Sequence, residues 1–345
     1  MRVDARGPLP RASRLPRLAT VVSQPGVTAP IDQDLEQYRR PLTGYCYRML
    51  GSGADAEDAV QETMVRAWKS ADRLQSRSAL KSWLYRIASN VCFDMLQGTG
   101  RRAQPMDFGP AGAADGALGA PQGEHAWVQP IADAKVLPEE ADPAEVAESR
   151  ETLRLAFVAA LQHLPPRQRA VLVLREVLRW QATEVAELLE TTVASVNSAL
   201  QRARATIDAL DLDRSGGSAE AGDAEQQELL ARYVDAFERY DIDSLVALLK
   251  DDAEFSMPPF PLWIVGPESV HDFMLGTGGH CRGSRLLTTS ANGSPAAGIY
   301  HPAADGYEPW AIVVLETSEG RITGLRHFLY PEMFAEFGLP PRLDR

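Results

Sequence analysis

Apolar residues recur at helical spacing over residues 32–97, lose any period from Gly98 to Gly123, and resume at helical spacing over 145–210. Beyond Glu225 two more helical stretches run to about Leu249, followed by short apolar runs such as Ala311–Leu315, bounded by Gly and Pro. Val60, Met64 and Trp68 lie four residues apart, which puts them on one stripe of a helix. Trp83, Ile87 and Val91 do the same, and Leu84 and Ala88 widen that face. Ser52 or Asp55 can cap the first of these helices, whose positive end suits Asp55, Glu57 and Asp58. Gly, Ala and Pro dominate 98–123, the composition of a linker. One island, His125–Pro130, interrupts it, and its Trp127 is expected to dock on a folded surface. The later helices break at Pro165-Pro166 and at Glu190–Thr192.

The chain therefore divides into a tail (1–30), a helical body (31–97), a linker (98–147), a second helical body (148–210), a Gly/Ser/acid-rich linker (211–224) and an α+β domain (225–345). The expected fold class is multidomain, two all-α bodies plus one α+β domain. A length of 345 residues accommodates that number. No run of eighteen apolar residues occurs, so no membrane span is expected. The Arg-rich first thirty residues lack a secretory core and read as a disordered tail, loosely like a transit peptide. Cys46, Cys92 and Cys281 lie far apart without metal-ligand spacing and read as reduced thiols of a cytoplasmic protein. Neither cofactor nor metal is called for.

Charge changes the picture. The formal net charge is −12, but residues 150–210 carry +2 and residues 223–338 carry −11. A lone DNA binder of this charge would bind weakly, because phosphate neutralisation supplies most of the affinity. Yet 182–204 has the pattern of a DNA reader. Ala182, Val185, Ala186 and Leu189 form the inner side of a short helix, Glu190–Thr192 a turn, and Val193, Val196, Leu200 and Ala203 the inner side of a second. That is a helix-turn-helix, whose second helix enters the major groove. Its outward positions are Ser195, Asn197, Ser198, Gln201, Arg202 and Arg204. Asn and Gln pair with adenine edges, and Arg with guanine or phosphate. An ordinary helical hairpin with a solvated face is the plainer reading of the same pattern.

The stretch Leu161–Arg175 with that hairpin resembles sigma region 4, Asp55–Trp68 resembles sigma region 2.2, and Ser82–Asn90 resembles regions 2.3–2.4. Their order and spacing resemble the extracytoplasmic-function type of RNA polymerase sigma factor, in particular the SigG-like group with a SnoaL-like C-terminal domain. The resemblance implies RNA polymerase core (its beta and beta-prime subunits) and promoter DNA as partners. Asp58, Gln61 and Glu62 would meet the core, whose docking element is basic. Arg77, Ser78, Lys81, Arg86 and Asn90 would handle the −10 strand, with Trp83 as core. The six outward positions of the second hairpin helix would read the −35 element, although Asn197 and Ala199 stand where the family has basic residues.

Residues 225–338 resemble the SnoaL-like fold, a curved sheet and helices around a cone, on Leu229–Val246, Ala253–Pro259 and Arg321–Phe328. That fold hosts both enzymes and binding modules. Trp263, His271, Tyr300, Trp310 and His327 are its candidate pocket residues, with Phe260 and Asp272 beside them. The expectation is a non-catalytic domain regulating the sigma factor in cis, with a small-molecule ligand or a separate anti-sigma factor as further partners. Two other readings stand beside it. One is a one-component helix-turn-helix regulator with a ligand-sensing domain, which has no use for 55–68 and 82–90 in tandem. The other is an enzyme localised by its N-terminal half, which needs an acid–base pair in the cone.

Overall fold

The computed structural model describes residues 35–74, 76–138, 142–210 and 223–345. The expected 1–30 tail and nearly all of the 211–224 linker lie outside the described residues. The first body packs α1 (Arg39–Leu50), α2 (Gly53–Lys69) and α3 (Leu80–Met95) around Leu42, Tyr45, Met49, Val60 and Leu84. Ser52 is the cap of α2, its hydroxyl accepting from the Asp55 N–H at 3.3 Å. Trp68 departs from the expected stripe. Val60 and Met64 are buried, but Trp68, on the last turn of α2, is 64% exposed.

The second body comprises α4 (Pro143–Glu151), α5 (Leu155–Gln162), α6 (Pro166–Leu172) with a π-turn over Val173–Val177, α7 (Ala182–Leu188) and α8 (Val193–Asp208). Two local devices set the α7–α8 hairpin. Glu190 takes a positive φ of 51° to end α7, and the Thr192 hydroxyl caps α8 by accepting from the Ser195 N–H at 3.1 Å. Val185, Ala186, Val196, Leu200 and Ala203 are buried as their spacing requires. Val193 is 38% exposed, because the first turn of α8 projects past the hairpin core.

The C-terminal domain is a six-stranded mixed sheet in the order β2-β1-β6-β5-β4-β3. Its strands are β1 (Leu249–Ser256), β2 (Trp263–Val265), β3 (Arg285–Ala291), β4 (Ser294–Ala303), β5 (Gly306–Ser318) and β6 (Arg321–Phe328). Helices α9 (Asp223–Arg239), α10 (Ile242–Val246) and α11 (Pro267–Leu275) close one face into a cone around Phe237, Phe255, Phe273 and Leu325. Alternation along the strands sends Ile312, Val314 and Phe328 to the opposite face. There they join one continuous apolar core with both helical bodies, Phe334 and Phe337.

Residues 98–138 link the bodies as a packed strap rather than the loose tether their composition suggests. Trp127 is fully buried, 5.0 Å from the Phe108 ring. Burying a Trp removes about 200 Å² from water, worth up to about 5 kcal/mol, which offsets the ordering of about three to five residues around it; the strap's other contacts hold the remainder. Buried Arg102 donates to Asp55 of α2 at 2.5 Å and to the Trp127 carbonyl at 2.9 Å. Lys135 bridges Glu57 of α2 and Glu336 near the C-terminus.

All these parts converge on the β3–β4 turn. Asn292 and Gly293 both have positive φ (55° and 70°), the geometry that twists a two-residue hairpin correctly. The Asn292 side chain is fully buried. Its Nδ2 donates to the Tyr47 hydroxyl of α1 at 2.7 Å and to the Leu153 carbonyl at 2.6 Å, while its Oδ1 accepts from the Ile131 N–H at 3.0 Å. Tyr47 in turn donates to the Gln129 carbonyl at 2.8 Å. One amide thus joins four stretches of chain. Asn292→Gly keeps the backbone geometry and orphans these groups, so it should lower unfolding free energy by about 3 kcal/mol in denaturant titrations. A loss below about 0.5 kcal/mol would show that the joint is held by apolar packing alone.

Candidate nucleic-acid interface

Helix α8 presents Ser195, Asn197, Ser198, Gln201, Arg202 and Arg204 to solvent; Ser195, Ser198, Gln201 and Arg202 lie opposite the buried Val196, Leu200 and Ala203, and Asn197 and Arg204 flank that buried stripe. Arg204 is paired with Glu176 at 2.6 Å, leaving Gln201 and Arg202 at the centre of the face. This exposed polar ridge is preceded by the short α7, the arrangement that lets a helix lie in a major groove.

On the first body, Asp58, Gln61 and Glu62 are exposed along α2. Asp58 and Gln61 reach the rim of a broad groove of about 1110 Å³ shared with α1, Lys135 and Glu148. Glu62 instead pairs with Arg66 at 2.7 Å.

The sequence-derived −10 residues are only partly open. Ser78 and Asn90 are exposed, and the Arg77 side chain lies outside the described part of the structure. Lys81 is exposed, yet its ammonium stands 5.3 Å from the ring centroid of Trp180, which belongs to the second body. Arg86 donates to the Glu187 carbonyl at the end of α7 at 3.2 Å and lies 3.9 Å from the Glu190 carboxylate. The two helical bodies therefore hold each other through these side chains. Trp180 itself packs against Tyr85 with the rings tilted by 57° and their centroids 5.1 Å apart. Deeper in the joint, Arg48 donates to Thr152 Oγ1 at 2.7 Å, and Arg169 donates to the Met49 carbonyl. Burial lowers both guanidinium pKa values to about 10, so they stay charged at neutral pH. Sequence reasoning missed Trp180, Glu187 and Asn292 as joint residues. Only Asn292-Gly293 carried a local signal, the dipeptide of a tight hairpin.

In the C-terminal domain the five candidate pocket residues do not converge. Trp310 and His327 line the cone. Trp263 is directed to the strap, its indole N–H donating to the Gly109 carbonyl at 2.9 Å. Tyr300 points to the opposite face and donates to the Pro340 carbonyl at 2.8 Å, because its position on β4 alternates away from the cone. His271 sits on the outside of α11 beside Asp272 and Asp243. Phe260 reaches the cone rim, with Thr277, His280 and Cys281, which the sequence did not single out. Burial pushes the Cys281 thiol up to about 12, an unreactive state. Among the described residues no cluster of His, Cys, Asp and Glu could hold a metal ion, and no helix is long and apolar enough to cross a membrane.

A helix-turn-helix with an open polar ridge, joined to a three-helix body with an acidic outer face, defines the class as a DNA-reading transcription protein. The Sigma-70 region 2 model matches residues 35–102, Sigma-70, region 4 matches 154–207, and the SnoaL-like domain matches 230–325. The chain is 43% identical over 311 residues to the ECF RNA polymerase sigma factor SigG of Mycobacterium tuberculosis, covering 89% of this chain and 83% of SigG. It is 26% identical over 324 residues to SigJ of the same organism, covering 90% and 95%. The crystal structure of SigJ has the same fold, with a TM-score of 0.58 at 24% identity over 90% of this chain and all of that one. The chain belongs to the family of ECF RNA polymerase sigma factors, with region 2, region 4 and a fused SnoaL-like domain.

Burial lowers the pKa values of His327 and His301 to about 4, and both are neutral in the folded protein at pH 7. The unfolded chain protonates them near 6.5. No penalty exists above that pH, and stability falls as pH drops from about 6.5 to about 4. His327→Phe should flatten the dependence of the urea midpoint on pH across that window. An unchanged slope would mean that other groups carry the acid sensitivity.

Proposed function

We propose that this sigma factor engages RNA polymerase core through the α2 face of Asp58, Gln61 and Glu62, against a basic element of the beta-prime or beta subunit. The −10 strand meets the surface around Arg77, Ser78, Lys81, Arg86 and Asn90. The −35 duplex meets Ser195, Asn197, Ser198, Gln201, Arg202 and Arg204, with Gln201 and Arg202 carrying most of the base discrimination. The protein acts in the cytoplasm, where core and chromosome are. The weakly basic second body and the acidic C-terminal domain favour promoter binding inside the holoenzyme over binding to naked DNA.

The C-terminal domain is read as a cis regulator that favours a closed state. The observation carrying this is the contact of Arg86 with Glu187 and Glu190. Elements about 25 base pairs apart on B-DNA are separated by about 85 Å at about 3.4 Å per pair. Two readers that touch each other cannot span that distance, so initiation requires them to part. Asn292 binds both helical bodies and so opposes parting. A binding rather than catalytic role for the cone fits His327 lying against Phe255 at 4.7 Å, with no carboxylate among the lining residues.

Three measurements test this. Reversing Asp58 and Glu62 to Lys should weaken core binding at least tenfold while leaving the circular dichroism unchanged. Arg202→Ala and Gln201→Ala should flatten transcription preference across mutated −35 elements by about 1–3 kcal/mol at the base each one reads. Truncation after Leu210 should change transcription yield or promoter choice several-fold. Activity indistinguishable from the full chain would exclude cis regulation. Tight sequence-specific binding to duplex DNA without core would favour the one-component regulator.

A further inference from the structure

A cleft of about 440 Å³ lies where region 2, the strap and region 4 meet. Region 2 supplies Asp55 of α2, the strap Arg101, Arg102 and His125, and region 4 Arg169 of α6. The lining thus carries three guanidinium groups against one carboxylate. Arg102 holds that carboxylate at 2.5 Å, so the two cancel. Arg101 and His125 are exposed. Arg101 donates to His163 Nδ1 at 2.7 Å, and it shares Asp107 with His163, each at 3.5 Å.

Arg169 is buried, and its acceptors are all neutral. They are the carbonyls of Met49, Gln162 and Leu164 and the side-chain amide of Gln162. Those bonds satisfy its donors without cancelling its charge. An uncompensated charge inside a protein is costly. With a pKa of about 10 after burial, Arg169 does not escape that cost by losing its proton at neutral pH. Its field reaches His163. Burial first, then Arg101 and more weakly Arg169, hold that imidazole below its ordinary pKa, against Asp107. Excess positive charge is therefore built into the cleft.

We propose that this cleft binds a small molecule bearing a phosphate monoester, contacted by Arg101 and His125 while Arg102 and Arg169 supply the field from the inner wall. A phosphate monoester carries about −1.5 to −2 at neutral pH, more than a carboxylate or the phosphodiester of a nucleic acid. The guanidinium fork also matches phosphate oxygens. The volume lies in the range of small-molecule sites and exceeds what a bare phosphate fills, leaving room for an organic group along Leu50 and Leu96. Three parts of the chain form the walls, so the ligand favours the state in which regions 2 and 4 touch, by its differential affinity for that state. This coupling rests on the reading above that the two regions must part for initiation, and the binding does not.

The test is calorimetric titration of the full chain with AMP, ribose 5-phosphate and adenosine. Saturable one-to-one binding of AMP is expected, with none of adenosine. Arg101→Gln and His125→Gln should each weaken AMP roughly tenfold, with circular dichroism unchanged. Ribose 5-phosphate matching AMP would assign sugar phosphates as the ligand class, and binding AMP alone would assign nucleotides. Four outcomes overturn the site: no saturation with AMP, equal affinity for adenosine, unchanged affinity in both variants, or tighter binding of an unphosphorylated single-stranded oligonucleotide in the same cleft. Saturating AMP should also weaken promoter binding by the holoenzyme several-fold, measured without nucleoside triphosphates, and should not do so in Arg101→Gln. AMP binding with unchanged promoter affinity overturns the coupling alone.

Discussion

The buried amide of Asn292 is the constraint on which the arrangement of this sigma factor depends. A side-chain amide in an apolar core must satisfy its donors and acceptor or forfeit about 1–3 kcal/mol for each group left bare. Asn292 has one geometry that satisfies them, with Tyr47, Leu153 and Ile131 each supplying a partner. The apolar surfaces around it are non-directional and would tolerate sliding. The amide fixes their register. Region 2, region 4, the strap and the SnoaL-like sheet are thereby set in one relation to one another.

That relation explains why the polar residues of the sigma regions fall into two sets. Those on α8 stand in solvent. Those on α3 are partly occupied by region 4, through Trp180 and the end of α7. Exposed pairs such as Arg86 and Glu190 contribute little individually. The joint is instead held by buried groups, Arg48, Arg169 and Asn292, whose partners lie far away in sequence. An interface built this way combines strong anchors at its centre with a weak rim that water, DNA or another protein can compete for.

Much of this was legible from the chain itself, where the signal is local. The period of Val185, Ala186, Val196 and Leu200, with the break at Glu190, specifies the helix-turn-helix, and the exposed ridge follows by subtraction. Ser52 and the acidic residues after it mark the start of α2. What was not legible depends on pairings across 100 residues or more. Nothing near Arg86 announces that Glu187 will take its guanidinium, 101 positions on. Trp68 and Tyr300 illustrate the other limit. Helical spacing assigns a stripe but not where the neighbouring helix ends, and strand alternation assigns two faces but not which one is the cone. The Gly-rich strap was legible in composition alone, which describes its freedom and not the Trp127 pocket that removes it.

The Asn292 joint also bears on how the protein is made. Tyr47 and Asn292 are 245 residues apart. At about 5–20 residues per second, a ribosome needs about 12–50 seconds to synthesise the chain between them. Region 2 and region 4 thus leave the ribosome well before the sheet that covers their shared apolar surface exists. Region 4 ends at Leu210, so for the last 82 of those residues, about 4–16 seconds, the nascent chain has both DNA-reading bodies without the part that joins them. Synthesis therefore has a direction of risk: the growing polypeptide is least restrained when its readers are complete and its C-terminal domain is not.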